Sequence, residues 1–221
     1  MALKVKVKPD VEYTPIPEGT YTAICYTIAD CGLQYSEKFK KSSHKILFIW
    51  ELVDDDLRIE IDGKMKRRTI SKQYTASFAT KSNMYKDLRP WLGREFTQEE
   101  AEGTFDITSF ISKSCLLNII NEANTDGKIY SSVASVMQLP KGIKTEQPEN
   151  PIVLYDIDES SDEELKKLPE WVQERIKKAV AISPESANTA DVIIDPKTGE
   201  VLAETSAPSK SVKNSISDFL P

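Results

Sequence analysis

The sequence predicts an all-β chain with minor α content: a five-stranded barrel with one short helix between strands three and four. A second helix and a largely disordered acidic tail follow. Three observations predict this. Five runs rich in β-branched and aromatic residues occupy the first two thirds of the chain. A helical period interrupts them at residues 80–93, where Met84, Tyr85, Leu88, Trp91 and Leu92 share one face. Charge then divides the chain. Residues 1–144 carry 21 Lys/Arg against 19 Asp/Glu, a net of +2, whereas residues 145–221 carry 8 against 16, a net of −8. The order strand-strand-strand-helix-strand-strand is the layout of an OB-fold, in which the helix plugs one end of the barrel. The expected organisation is a barrel domain over 1–144, an acidic linker with an amphipathic helix over 145–184, and a flexible tail over 185–221.

Each element has its own signal. The alternating run at 3–7 reads as an extra edge strand, and Pro9, Pro15 and Pro17 keep the chain extended up to the turn at Gly19. Strand one is expected at 20–29 and strand two at 44–53. Strand two, HKILFIWELV, is apolar on both faces, as in a strand covered on both sides. Strand three, at 64–75, places Arg68, Ile70, Lys72 and Tyr74 on one face and Arg67, Thr69, Ser71 and Gln73 on the other. In the helix, Ser82 is the expected N-cap and Gly93 the expected left-handed terminus, with Pro90 predicting a kink or a tightened turn. Thr97 and Glu100 have capping-box spacing. Strands four and five fall at 114–121 and 128–139, joined through the hairpin signal Asp126-Gly127. Beyond them, Leu165, Leu168, Trp171, Val172, Ile176 and Val180 form an apolar stripe, divided by Pro169, that calls for a surface to lie on. The polar composition of 182–221 predicts disorder, with a small hairpin where 192–194 and 200–202 flank Asp195-Pro196-Lys197-Thr198-Gly199.

Composition argues against catalysis. The chain has one histidine, His44, and three cysteines, Cys25, Cys31 and Cys115, whose spacing fits no zinc pattern. Buried reduced thiols are expected, with no metal and no cofactor. The acids Asp54, Asp55, Asp56 and Asp62 surround a hairpin, where charges usually face water. Neither a nucleophile elbow nor a phosphate-cradling glycine loop is present. No apolar leader and no stretch of membrane-spanning length occurs, so a cytoplasmic protein without membrane contact is expected.

A groove for single-stranded nucleic acid needs cations that follow the phosphates and rings on which bases stack. In an OB-fold it runs across strands two and three, between the loops joining strands one to two and four to five. The first loop holds Tyr35, Lys38, Phe39, Lys40 and Lys41. Strand two supplies Trp50, strand three Arg68, Lys72 and Tyr74, and the far loop Lys128 and Tyr130. These eleven residues are the candidate binding set.

Several stretches also carry a resemblance: PEGTYTA at 17–23, KQYTASFATKSNMYKDLRPWLGREFTQEEAEGTFDITS at 72–109, KSCLLNIINEANTDGKIYSSVASVMQLPKG at 113–142 and LPEWVQERIKKA at 168–179. The chain resembles bacteriophage-encoded single-stranded DNA-binding proteins with an OB-fold, found with replication and recombination genes. The resemblance implies a non-enzymatic protein that coats single-stranded DNA in the host cytoplasm. The terminus SDFLP at 217–221 is similar to the acidic tips of bacterial single-stranded DNA-binding proteins, though it has one aspartate where those have several. By that likeness Asp218, Phe219 and Leu220 would dock replication or recombination proteins. RNA as the ligand and self-association stay open. A phage interaction protein that binds a host or replication factor without nucleic acid, or a metal-dependent nuclease, are the rival readings.

Overall fold

The computed structural model describes residues 13–37, 39–61, 63–101, 105–143 and 146–179, together with the backbone of 192–194 and 201–204. The expected edge strand at 3–7 and the C-terminal tip lie outside the described residues. One long strand organises the rest. β1 (Gly19–Ser36) pairs antiparallel with β2 (Lys41–Leu52) from Ala23 through Ser36. Its other edge is shared, because Gly19 to Ile24 pair with β6 (Ser114–Ala123) and Thr27 to Ala29 pair in parallel with β8 (Val153–Tyr155). β5 (Thr69–Thr75) lies beyond β2, and β7 (Ile129–Gln138) lies beyond β6. The six-stranded sheet thus has the order β5-β2-β1-β6-β7, with β8 as a branch on β1.

The fold is mostly β with few helices, as expected, but the closed cylinder is not present. Among the described residues no ladder joins β5 to β7, although these edges come within 8 Å of each other between Cα atoms. Their side chains meet through a shared core instead. Ile70 and Tyr74 from β5, Phe48 and Trp50 from β2, and Val133 and Val136 from β7 pack with Met84, Leu88 and Trp91 of α1 (Asn83–Leu92). α1 begins and ends as the sequence dictates. Ser82 Oγ accepts from the Tyr85 amide at 3.1 Å, and Gly93 takes φ 76°. The helix continues through Pro90 to Leu92.

Strand three differs from expectation. Its first part, β4 (Lys64–Lys66), folds back on β3 (Ile59–Ile61) as a separate hairpin, and only β5 joins the main sheet. The 31–43 loop is also shorter than expected, since β1 runs on to Ser36 and β2 starts at Lys41. A bulge between Asp30 and Leu33 allows this continuation. There Gly32 adopts φ +63°, and its amide donates to Asp30 Oδ1 at 2.7 Å.

The acidic segment packs on the sheet's outer face. α2 (Asp162–Leu165) starts with a capping box between Ser161 and Glu164, and α3 (Glu170–Lys177) follows Pro169. Leu168, Val172 and Ile176 cover Tyr26, Ala29, Leu47 and Ile49, together with Val153 and Tyr155 of β8. Burying each of those three aliphatic side chains contributes about 1.5–3 kcal/mol, enough to hold a short helix in place. This two-sided burial explains why β2 is apolar on both faces. Polar contacts fix the strap that leads to β8. The buried carboxylate of Glu51 accepts from the amides of Glu149 (2.8 Å) and Asn150 (2.5 Å), and Arg67 pairs with Glu146. Arg58 Nη2 donates to Glu149 at 2.6 Å. The backbone of β9 (Val192–Ile194) and β10 (Val201–Glu204) forms the expected small hairpin. No helix among the described residues is long and apolar enough to cross a membrane.

Candidate functional site

Beyond the Gly32 bulge, the β1–β2 ribbon reaches past the rest of the sheet and meets α3. A cleft of about 600 Å³ opens there. β1 contributes Gln34 and Tyr35, the connection between the strands contributes Phe39, and β2 contributes Lys41, Ser43 and Lys45. These three β2 residues alternate along the strand and therefore share a face. β5 adds Gln73 and Thr75, in register with Leu47 and Lys45, and α3 adds Arg175. Among the described residues lining the cleft there are three cations, two aromatic rings and no carboxylate. Tyr35 is 49% exposed and Phe39 63%.

Hydrogen bonds hold this geometry. Lys45 Nζ donates to Thr75 Oγ1 at 2.7 Å, and Arg175 Nη1 donates to Gln73 Oε1 at 3.0 Å. The Gln34 side-chain amide donates to the carbonyls of Cys31 (2.6 Å) and Arg175 (3.0 Å), tying the ribbon to the end of α3. Gln73 Nε2 has no partner among the described residues, leaving a donor in the cleft wall unsatisfied. At the base of the ribbon His44 Nε2 donates to Asp30 at 2.6 Å. That hydrogen bond raises the imidazole's pKa, against the opposing effect of its burial.

Of the eleven candidate binding residues, the structure gathers Tyr35, Phe39 and Lys41 in this cleft. Lys38 lies outside the described residues, as do Asp218, Phe219 and Leu220. Lys40 is exposed and pairs with Glu37 at 3.0 Å. Lys128 and Tyr130 belong to the β6–β7 hairpin. Register places Ile119 opposite Gly19, so this hairpin projects from the opposite end of β1. Tyr130 is exposed there but does not line the cleft.

Four expectations are corrected. Trp50 is fully buried, in register with Cys25 and Ile70 on the inner face, and stacks on Phe48 with centroids 5.7 Å apart. It is core, not a platform for bases. Tyr74 is 2% exposed, with its hydroxyl 2.9 Å from Asp87 Oδ2. Burial pushes its phenol pKa well up, and the neighbouring Asp87 carboxylate pushes it further. Lys72 reaches inward to the same carboxylate at 2.6 Å. Arg68 donates to the backbone carbonyls of Thr14 and Pro15 and anchors the N-terminal lead. Alternation holds along β5, and the face bearing Ile70, Lys72 and Tyr74 points into the molecule. The three thiols are free and buried, as expected, with desolvation holding Cys31 up at about 11.

Sequence reasoning missed Lys45, Gln73 and Arg175. The alternation of Lys41, Ser43 and Lys45 was legible, but the apolar run that follows obscured it. Trp171 falls within the apolar stripe of the sequence, and Arg175, spaced i, i+4 from it, carries no signal of its own. The structure sets both on the flank of α3, with the Arg175 guanidinium over the Trp171 ring at 5.5 Å. Neither a scan against protein-family models nor a search of the curated proteins returns a match for this chain.

Proposed function

We propose that this is a non-enzymatic protein that binds single-stranded DNA through the cleft at the end of the β1–β2 ribbon. The observation that carries the reading is the cleft's lining: Lys41, Lys45 and Arg175 beside the exposed Tyr35 and Phe39, with no acid among the described lining residues. Sheet connectivity supports it. A central first strand flanked by the second and fourth, with a helix before the fourth, is the OB-fold order, here with the last closing ladder open. Such a groove grips phosphates and stacks bases without reading their edges, so binding would be weakly sequence-selective. The resemblance to phage single-stranded DNA-binding proteins makes replication or recombination of a phage genome the setting that fits this activity, with the C-terminal tip recruiting a partner.

The test is anisotropy of a labelled oligo-dT across a salt series. Neutralising about three phosphates gives a log K against log salt slope of roughly −2 for a single strand. Lys41→Gln and Lys45→Gln should each flatten it by about 0.7. Absence of binding at low salt overturns the reading, and equal affinity for the RNA counterpart widens the ligand class. A second reading has its own observation. Ile129, Tyr130 and Met137 are exposed on the edge strand β7, a surface suited to a protein partner. Salt-independent capture of a protein through β7, without oligonucleotide binding, would favour it.

A further inference from the structure

We propose that α3 is part of the DNA-binding surface, with Trp171 stacking one base and Arg175 holding the adjoining phosphate, so that the strand leaves the cleft along this helix. The inference rests on the cleft being a DNA site and extends it to an element after the sheet. Trp171 is 43% exposed, whereas the other two tryptophans, Trp50 and Trp91, are 0% and 3% exposed. A large ring left open on a helix whose other apolar residues are buried is not needed for packing. Val172 and Ile176 already bind α3 to the sheet at 0% and 6% exposure. Arg175 connects the two places, since it lines the cleft, donates to Gln73 and lies over the Trp171 ring. A guanidinium is suited to this position because it can stack on a ring and still direct donors at a phosphate. The helix is also pre-positioned. Gln34 holds the Arg175 carbonyl, and an interior fixed before binding loses little freedom on binding.

Because only Trp171 is exposed, a base stacking on the protein can quench its emission directly and not that of Trp50 or Trp91. Adding oligo-dT to the full chain should quench emission, and Trp171→Phe should abolish the quench while a labelled oligonucleotide still binds. Trp171→Ala should weaken anisotropy-measured affinity by about five- to a hundred-and-fiftyfold, the range for loss of one stacked base. Its melting temperature should stay close to wild type, because the ring is half exposed. Arg175→Gln should flatten the salt slope by about 0.7. If the labelled strand binds but Trp171→Ala leaves affinity unchanged, or the quench survives Trp171→Phe, the role of α3 is overturned and the cleft reading stands. If the wild-type chain binds no oligonucleotide, both are overturned.

Discussion

Replacing Lys72 with methionine separates a structural cation from a DNA-binding one. Lys72 Nζ lies 2.6 Å from Asp87 Oδ2, and Tyr74 donates to the same oxygen at 2.9 Å. The Asp87 side chain is 8% exposed and that of Lys72 21%. Removing the ammonium leaves a nearly buried carboxylate with one phenol donor. Breaking a fully buried pair costs about 3–5 kcal/mol, and the partial exposure of Lys72 reduces this to about 2–4 kcal/mol. For a chain of this size each kcal/mol moves the melting temperature by about 2–4 °C, so Lys72→Met should melt roughly 5–15 °C lower. Adding Asp87→Leu removes the stranded charge and leaves only the Tyr74 hydroxyl unpaired, at a cost of about 1–3 kcal/mol. The double variant should therefore recover part of the loss, with a coupling of about 1–3 kcal/mol. Urea and thermal unfolding of the four proteins measure this. Under conditions where Lys72→Met remains folded, oligonucleotide affinity should be nearly unchanged. A variant that melts within about 1 °C of wild type but binds DNA tenfold more weakly would show that Lys72 contacts phosphate and that the argument is wrong.

Three further outcomes are expected. Trp50→Ala should destabilise by about 3–5 kcal/mol, whereas Phe39→Ala should leave stability within about 0.5 kcal/mol and weaken DNA binding, which paired melts and anisotropy titrations will separate. Gly32→Ala should cost about 1–3 kcal/mol, because φ +63° disfavours a side chain and the new Cβ would lie 2.7 Å from Ile157 Cδ1; an unchanged melting temperature would contradict this. The His44–Asp30 pair raises the imidazole pKa above its ordinary 6.5, so the folded state binds the proton more tightly than the unfolded one. Its contribution is complete below about pH 6.5 and is lost as pH rises through the raised value, so the urea-midpoint advantage of wild type over His44→Gln should shrink between about pH 5.5 and 8.5. An advantage that grows over that range would reverse the assignment.

What the sequence revealed was governed by local rules. The caps at Ser82 and Gly93, the reciprocal bonds between Thr97 and Glu100, and the turn before Gly127 all form as expected. Each depends on residues within a few positions of one another. The two-faced burial of β2 was also legible, because its composition required a cover on each side. What failed depended on direction. Alternation groups Lys72 with Tyr74 but does not say which face turns inward, and the deciding partner, Asp87, lies on a helix that packs there. Trp50 stood on an apolar strand whose neighbours were equally consistent with core or groove. The 31–43 segment is largely paired and not a loop, because a left-handed Gly32 between paired residues makes a bulge and lets the ladder resume. Arg175 reaches the cleft only because Leu168, Val172 and Ile176 seat α3 on the sheet, a long-range fact with no local signature.

The strap held by Glu51, Arg67 and Arg58 has a practical consequence for anyone shortening this chain. The shift in charge after residue 144 invites a cut there, yet ending at that point would strip the cover from Tyr26, Leu47 and Ile49 and take from the Glu51 carboxylate its amide donors. The cleft would lose its arginine wall in the same stroke. The smallest fragment that keeps its interior dry and its basic pocket whole therefore extends at least to residue 179.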